Sequence, residues 1–463
     1  MVTDIEQFDL VVVGGGKAGK SLAMLRAKLG DSVLMVERDK VGGTCINVAC
    51  IPTKTLVTSA RRLGEVRRAA AYGVVAEGAD LDGAGIDLAA LRSRKEAVVG
   101  GMVAAHETMF AAPGLDFVKG SARFVGDKTV EIDLVDGGKR TVAGRKVLIN
   151  TGTTPAVPDI DGLGDVDYWT SEDILRLEEI PEHLVILGGG VIGVEFASMM
   201  ATFGAAVTLI EAGERILSRE DDDVADQVAD GLRAQSVEIV TGERATAVRS
   251  GGRGVIVETE GGSYEGTRLL VALGRKPVTE GLDLEAAGVK LTERGFVDVD
   301  SRLRTSAADV YAAGDVAGTP QFTHASWNDF RVLRDIFAGK DATTEGRIVP
   351  WAVFTTPELG RVGLSERQAR EEGRDIRVAK IATAAVPRAK TLALTEGFYK
   401  VVVDATSDEI LGATIIGESA SEVITSVQMA MLGGLTWQQL RDAVISHPTM
   451  AEGLNIVLDA MPQ

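Results

Sequence analysis

Two cysteines, Cys45 and Cys50, are the only thiols among 463 residues, and they stand five positions apart in "VGGTCINVACIPTK". Thiols so placed can close a short disulfide, carry redox chemistry, or supply part of a zinc site. A staple over so short a loop contributes about 2 kcal/mol in the entropic account, little for a chain of this size. Two sulfurs also fall short of a structural zinc's full ligand set. Candidates for moving protons to and from a thiol are few, because the only histidines are His106, His183, His324 and His447. An imidazole ordinarily titrates near neutral pH, which suits it to that task. His183 precedes an apolar run and reads as a surface residue.

The elements that must position the pair flank it. "FDLVVVGGGKAGKSLAMLRAKLG" and "DSVLMVERD" read as a Val-rich strand, a glycine turn, a helix and a second strand ending on Glu37. The turn holds Gly14, Gly16 and Gly19 in G-x-G-x-x-G order. Gly14 permits the tight turn, Gly16 lets backbone approach a pyrophosphate, and Gly19 lets helix and strand pack closely. The helix N-terminus offers amide donors and a positive dipole end to phosphates. Glu37 is placed to bond ribose hydroxyls. The plan recurs in "EHLVILGGGVIGVEFASMMATFG" and "AAVTLIEAGER", with Gly188, Gly190, Gly193 and Glu211. The first glycine and the acid are 23 residues apart in both copies. "VLINTGTTP" and "LLVALGRKP" pair as well, each an apolar strand stopping at a glycine (Gly152, Gly274) shortly before a proline. Two dinucleotide sites in one chain point to electron transfer between two nucleotides. "ADVYAAGDVAG" adds Asp315 at a strand end, suited to the hydroxyls of an extended cofactor.

A chain of this length exceeds what one hydrophobic core supports. The expected fold class is α/β: two Rossmann-like dinucleotide domains and a C-terminal α+β domain. The expected spans are residues 1–155 for the first dinucleotide domain with its thiol-bearing helix, 156–278 for the second, 279–346 for a return to the first, and 347–463 for the last. The first copy is the longer, and its extra length is read as the largely helical segment 55–110. In the tail, strand-like "FYKVVVD" and "EILGATIIG" precede helical "SEVITSVQMAMLGG", whose apolar face would suit dimerisation. Acidic residues outnumber basic ones 67 to 49, a formal charge of −18, which disfavours nucleic acid and anionic membrane. No apolar run reaches the roughly 18–20 residues that span a bilayer. "MVTDIEQFDL" lacks a basic region and a long apolar run, so no secretory signal is expected there and cytoplasmic residence is. Thiols are kept reduced in that compartment, so a Cys45–Cys50 disulfide reads as transient and chemical.

Gly42-Gly43-Thr44-Cys45, four residues, then Cys50-Ile51-Pro52-Thr53-Lys54, all behind a first dinucleotide motif, resembles the flavoprotein disulfide reductases. These are FAD-dependent pyridine nucleotide-disulfide oxidoreductases such as dihydrolipoamide dehydrogenase, glutathione reductase and mercuric reductase. The likeness runs nearly the whole chain, through "TGTTP", "LGRKP", "YAAGDVAG" and "HPTMAE". It implies tightly bound, non-covalent FAD on the first dinucleotide domain, NADH or NADPH on the second, and a homodimer with an active site shared between subunits. Electrons would run from the nicotinamide through FAD to the Cys45–Cys50 disulfide. On the same resemblance Cys50 is the thiolate beside the flavin, and Cys45 is the interchange thiol that meets substrate. Pro52 suits the first turn of a helix, so the pair should sit near a helix N-terminus, where thiolate is favoured. His447, in "SHPTMAEGLN", becomes the acid/base of the interchange thiol, with Glu452 fixing its tautomer. Lys54 and Glu195 become an ion pair beside the flavin rather than unrelated surface charges. Gly43, Thr44, Gly152 and Ala325 fall at the flavin site, and His324 contributes backbone there rather than chemistry. Gly274 and Arg275 fall at the nucleotide-binding strand end of the second copy. No metal belongs to the expected site.

Glu211 accepts from a ribose 2′-hydroxyl and repels a 2′-phosphate, which favours NADH, although Arg215 and Arg219 follow closely and basic residues there assist NADPH enzymes. Val191 stands where some relatives carry a tyrosine gate. Three branches compete for the oxidant. Dihydrolipoamide dehydrogenases usually have a histidine two residues before the catalytic one, where this chain has Ile445. Mercuric reductases usually carry a C-terminal cysteine pair, whereas this sequence closes on "IVLDAMPQ". "VPRAKTLALTEGFYKVVVD", "LRDAVISHPTMAEGLN" and "GGTCINVACIPTK" are most similar to the reactive-chlorine-resistance flavoproteins, which reduce hypothiocyanous acid. Ala49 replaces their usual glycine and adds a methyl near the sulfurs. The expected function is transfer from NAD(P)H through FAD and the dithiol to a small oxidant, hypothiocyanous acid or another thiol-reactive species. Dihydrolipoamide dehydrogenase and mercuric or cupric reductase are the alternatives. A non-enzymatic flavin-bearing interaction protein would have lost a redox cysteine, Lys54, His447 or Glu452, yet all are present.

Overall fold

The computed structural model describes residues 5–252 and 254–462. The chain clusters into two compact units: Met1–Thr55, Arg92–Ala156 and Arg275–Arg347 form one, and Leu56–Leu91, Val157–Gly274 and Ile348–Gln463 the other.

In the first unit, strands β1 (Glu6–Val13) and β2 (Val33–Glu37) flank helix α1 (Lys17–Lys28). They pair in parallel, β1 also pairs β5 (Lys139–Ile149), and Val310–Ala312 adds to the far side of β5, all in parallel. On the other side β2 pairs the start of β3 (Leu115–Gly126). The long strands β3 and β5 then leave the parallel sheet and join β4 (Thr129–Leu134) in an antiparallel meander. The Val-rich run of β1 is buried on both faces, as a covered parallel strand requires. Its side chains alternate: Val11 and Val13 enter one core with Leu34, Val36 and Ile149, while Leu10 and Val12 enter another with Val33, Met35 and Leu148. That period of two serves both faces of the sheet. Cys45 lies in the short helix α2 (Thr44–Asn47), and Cys50 is the first residue of α3 (Cys50–Arg67), which puts Pro52 in that helix's first turn.

The expected helical stretch 55–110 is helical at both ends, in α3 and α4 (Leu88–Phe110), but residues 73–87 are not. Residues 56–91 cluster with the second unit, although the sequence reading kept them in the first domain. The partners of α3 explain this: Arg61 donates to the Thr355 carbonyl at 3.2 Å and pairs with Glu358, and Arg67 donates to the Thr202 carbonyl at 2.7 Å.

Among the described residues the second unit holds three sheets, a small antiparallel one (Ala245–Ser250, Val255–Thr259, Ser263–Gly266) sharing the core of the parallel sheet and a C-terminal one with a core of its own. A four-stranded parallel sheet runs in the order Arg268–Val271, His183–Leu187, Ala206–Glu211, Val237–Thr241. His183 thus opens a strand, and its Nε2 meets Thr208 Oγ1 at 2.8 Å, so it is not the bland surface residue expected. The C-terminal part is a five-stranded antiparallel sheet covered by Ala420–Leu432 and Gly453–Asp459, the α+β arrangement expected. Buried ion pairs join the two parts: Arg361 to Glu220 at 2.7 Å and Lys400 to Asp221 at 2.8 Å. No described helix is long and apolar enough to cross a membrane.

Candidate active site

The first glycine loop is shaped by what a side chain would strike. Gly14 has φ +97°, and a Cβ there would lie 2.6 Å from the Asn150 carbonyl oxygen. A Cβ on Gly19 would lie 2.6 Å from the Gly14 oxygen, and one on Gly16 would overlap Asn150 Oδ1. Asn150, buried at the end of β5, braces this loop: its Oδ1 accepts Gly19 N–H at 2.8 Å and its amide donates to the Ala313 carbonyl at 2.5 Å. Sequence reasoning missed Asn150, whose signal was its place just before the strand-end glycine in "VLINTG". Glu37 accepts from Gly15 N–H at 2.8 Å and Asp39 N–H at 2.9 Å, fixing its carboxylate at the strand tip. Gly43 (φ +76°) caps α2 so closely over the glycine loop that a Cβ would sit 3.1 Å from Gly16 Cα.

The far edge of this cradle holds Asp315, whose Oδ2 accepts from Thr153 Oγ1 at 2.8 Å. Arg275 falls in this first unit and grips Thr153, donating to its Oγ1 and to its carbonyl, both at 2.8 Å. Burial pushes the Asp315 carboxyl above its ordinary range, while Thr153 and Arg275 pull it down. Gly152 (φ +72°) is nearby in chain and comes within 4.0 Å of Thr44 Oγ1 at its would-be Cβ. Ala325 is buried on the helix Thr323–Phe337. A helix α1 whose N-cap is a glycine with no side chain to cap it, a glycine turn too tight for any Cβ, and an acid at the far edge together fit an extended dinucleotide.

Both cysteines are thiols in this structure. Thr323, at the start of its helix, brings its hydroxyl to 3.4 Å from Cys50 Sγ. The hydrogen bond with Cys50 pushes the Cys45 thiol up, burial adds to this, and Thr323 and Lys20 pull it back down. Thr323 was also missed in the sequence, although its neighbour His324 was weighed. The His324 ring stacks on Phe322 at 5.3 Å.

In the second unit the nucleotide plan repeats with the same sterics. Gly188 has φ +108° and a Cβ there would meet the Ala272 carbonyl at 2.5 Å, and one on Gly193 would overlap the Gly188 oxygen. Gly190 caps the helix Val191–Phe203 without a side-chain bond, and Gly274 has φ +120°. Glu211 accepts from Gly189 and Gly213 N–H groups, both at 2.7 Å. A cavity of about 330 Å³ opens beyond this strand tip, lined by Glu214, Arg215, Ala225, Asp226, Arg233 and Thr241 among others. Glu195, 4% exposed on Val191–Phe203, accepts from Phe354 N–H at 3.0 Å. Lys54 lies on α3 in the first unit.

His447 and Glu452 come together here too. His447 Nδ1 is 2.9 Å from Glu452 Oε2, with the histidine side chain 70% exposed and the glutamate 10%. Thr449 N–H also donates to Glu452, and Tyr399 ties the turn by donating to the Met450 carbonyl at 2.9 Å. Such a carboxylate holds the other ring nitrogen, Nε2, toward solvent and ready to exchange a proton.

The sequence matches the pyridine nucleotide-disulphide oxidoreductase family over residues 8–329, and that family's dimerisation domain over residues 349–457. The chain belongs to this family. The probable pyridine nucleotide-disulfide oxidoreductase RclA of Escherichia coli strain K12 is 39% identical over 457 residues, 97% of this chain and 98% of that protein. A mercuric reductase of Staphylococcus aureus is 36% identical over 455 residues, 97% of this chain and 81% of its own. The solved Cu(II) complex of HOCl-induced flavoprotein disulfide reductase RclA from Escherichia coli matches at a TM-score of 0.90 and 39% identity, covering 98% of this chain and 99% of that one. As a pyridine nucleotide-disulphide oxidoreductase, the chain uses FAD with NAD(P)H as donor and carries the family's dimerisation domain. The first cradle, with Gly14, Gly16, Glu37 and Asp315, would hold FAD, which when bound would supply two-electron redox chemistry.

Proposed function

We propose that this oxidoreductase takes electrons from NADH and delivers them through Cys50 and Cys45 to a small, thiol-reactive oxidant of the hypothiocyanous acid type. The observation that carries the reading is the cysteine pair at the head of α3, with Thr323 on Cys50 and Cys45 as the partner thiol. Cys45 thiolate attacks the oxidant sulfur and forms an S–S bond. The leaving hydroxide takes a proton from His447 and departs as water. Cys50 thiolate then attacks the Cys45 sulfur, releases thiocyanate and restores the disulfide. Hypothiocyanous acid, two electrons and one proton thus become thiocyanate and water. Glu452 orients His447 for that proton, and the resemblance carries His447 to the thiols across a homodimer.

Similarity to an HOCl-induced flavoprotein supports a reactive-chlorine-derived oxidant, and Ala49 is the residue beside Cys50 that would tune access. NADH is favoured because Glu211 is fixed at the strand tip, while Arg215, the first arginine after it in the chain, pairs with Asp226 at 3.0 Å and Asp222 at 3.4 Å. An arginine so engaged is a poor receptor for a 2′-phosphate. A second reading, reduction of Cu(II), is favoured by the Cu(II) complex of the solved relative. The test is stopped-flow reoxidation of reduced enzyme with hypothiocyanous acid, lipoamide, low-molecular-weight disulfides, Hg(II) and Cu(II). Fastest reoxidation by hypothiocyanous acid is expected, and preference for lipoamide or a metal ion would overturn the reading.

A further inference from the structure

Lys20 follows the last glycine of the first nucleotide loop, and on α1 it points inward: only 3% of it is exposed. Its ammonium donates to the Gly42 carbonyl at 2.9 Å, and among the described residues no carboxylate pairs with it. Gly42 opens the turn that carries Gly43, Thr44 and Cys45. A buried cation without an anion is costly and calls for one. Among the described residues the surrounding elements show no carboxylate on Lys20. Lys17 comes from the same helix, and His106 from α4, with its ring lowered by burial and by both lysines. The helix Thr323–Phe337 packs on α1 and brings Arg331, which lies over the Trp327 ring as Lys17 does, and Asp329, which is already engaged by Arg347. The acidic group that acts on Lys20 is Cys45.

We propose that Lys20 is the counter-cation of the reduced dithiol, a positioning residue that holds negative charge on Cys45 between turnovers. A hydride equivalent from NAD(P)H breaks the S–S bond and leaves two sulfurs and one proton; the proton passes to water, and the Lys20 ammonium, already charged at neutral pH, balances the thiolate left on Cys45. Burial followed by Lys17 holds the Lys20 ammonium down at about 8, and negative charge on Cys45 pulls it back up. Neither the glycine motif nor the proton-donating role proposed for His447 requires a lysine here. This inference rests on the reading of Cys45 as the outer thiol.

The test is alkylation of NADH-reduced, flavin-loaded enzyme with iodoacetamide across pH 5 to 10, with the modified cysteine identified by peptide mass. Wild type, Lys20→Met and Lys20→Arg are compared, with flavin content measured in each. In Lys20→Met the midpoint for Cys45 should rise by about one pH unit or more, slowing its alkylation at pH 7 about tenfold. Lys20→Arg, permanently charged, should keep the midpoint at or below that of wild type. An unchanged midpoint in Lys20→Met at full flavin content overturns the proposal. So does a loss of flavin with no change in Cys45 alkylation, which would assign the lysine to cofactor binding alone. If Lys20→Met does not fold, Lys20→Arg carries the test, and a midpoint raised by a full unit there overturns it. Alkylation at Cys50 instead of Cys45 in every variant, wild type included, is the separate signature that the outer-thiol reading itself has failed.

Discussion

Replacing Gly19 by alanine should destabilise the first unit, although the backbone there is helical and alanine is ordinarily the better helix former. Helix propensity alone would favour the substitution by about 1 kcal/mol. Against that, the new Cβ would lie 2.6 Å from the Gly14 carbonyl oxygen and 2.9 Å from Val12 Cγ1. The nearer atom is backbone in a turn held by a positive φ, so it cannot rotate away. Overpacking of this kind costs about 1–3 kcal/mol. The same Cβ would stand 3.0 Å from Asn150 Oδ1 and disturb the bond that this oxygen accepts from Gly19 N–H, which is worth a further 1–3 kcal/mol, roughly, if a buried group is left unsatisfied. The net expectation is a loss of about 1–5 kcal/mol. Gly100→Ala is the control: Gly100 is exposed on α4 in the same unit, with nothing within 4 Å of its would-be Cβ. It should gain up to about 1 kcal/mol. Urea unfolding followed by flavin fluorescence reads both variants, with flavin content at purification as a second readout. A Gly19→Ala protein as stable as wild type and fully loaded would refute the close-approach reasoning.

Cys45→Ser should abolish turnover yet retain a thiolate-to-flavin absorption band on reduction, because Cys50 remains; loss of the band in Cys45→Ser but not in Cys50→Ser would reverse the assignment. His447→Gln should lower steady-state turnover roughly 10²–10⁴-fold while leaving reduction by NADH unaltered, as read by separate stopped-flow half-reactions; equal slowing of both would argue against a role confined to the thiols. Glu211→Ala should shift kcat/KM toward NADPH, and unchanged values for both donors would count against its ribose role. In the flavin-free protein, Lys20→Met should raise stability. The folded ammonium sits at about 8 rather than its ordinary 10.5, so its cost is fully present below pH 8 and fades as pH rises toward 10.5. The gain should be about 3 kcal/mol below pH 8 and vanish above 10.5, and a pH-independent urea midpoint difference would contradict it.

The parts of the site legible from residue order were those whose requirement is local. Gly14, Gly19, Gly188 and Gly193 are dictated by a turn and a helix packing on its own strand, and Glu37 and Glu211 by the strand that follows. Cys45, Cys50, His447 and Glu452 were readable through short motifs, and the 2.9 Å bond between the last two spans a single turn. What escaped notice depends on contacts made far along the chain. Asn150 braces a glycine 131 positions earlier, and Thr323 reaches a cysteine 273 positions earlier. Lys20 looked like an ordinary helix lysine, since nothing in its neighbours announces that α1 turns it inward. The grouping of residues 56–91 with the second unit was hidden for the same reason: Arg61 and Arg67 resemble solvent-facing arginines until their carbonyl and carboxylate partners are known.

The central claim is that electrons pass through the cysteine pair. Anaerobic titration of the flavin-loaded enzyme with NADH tests it most directly. The account predicts that the first two electrons give a long-wavelength thiolate-to-flavin band while the flavin stays oxidised. A flavin that bleaches at the first equivalent, with no such band at any point, would contradict it.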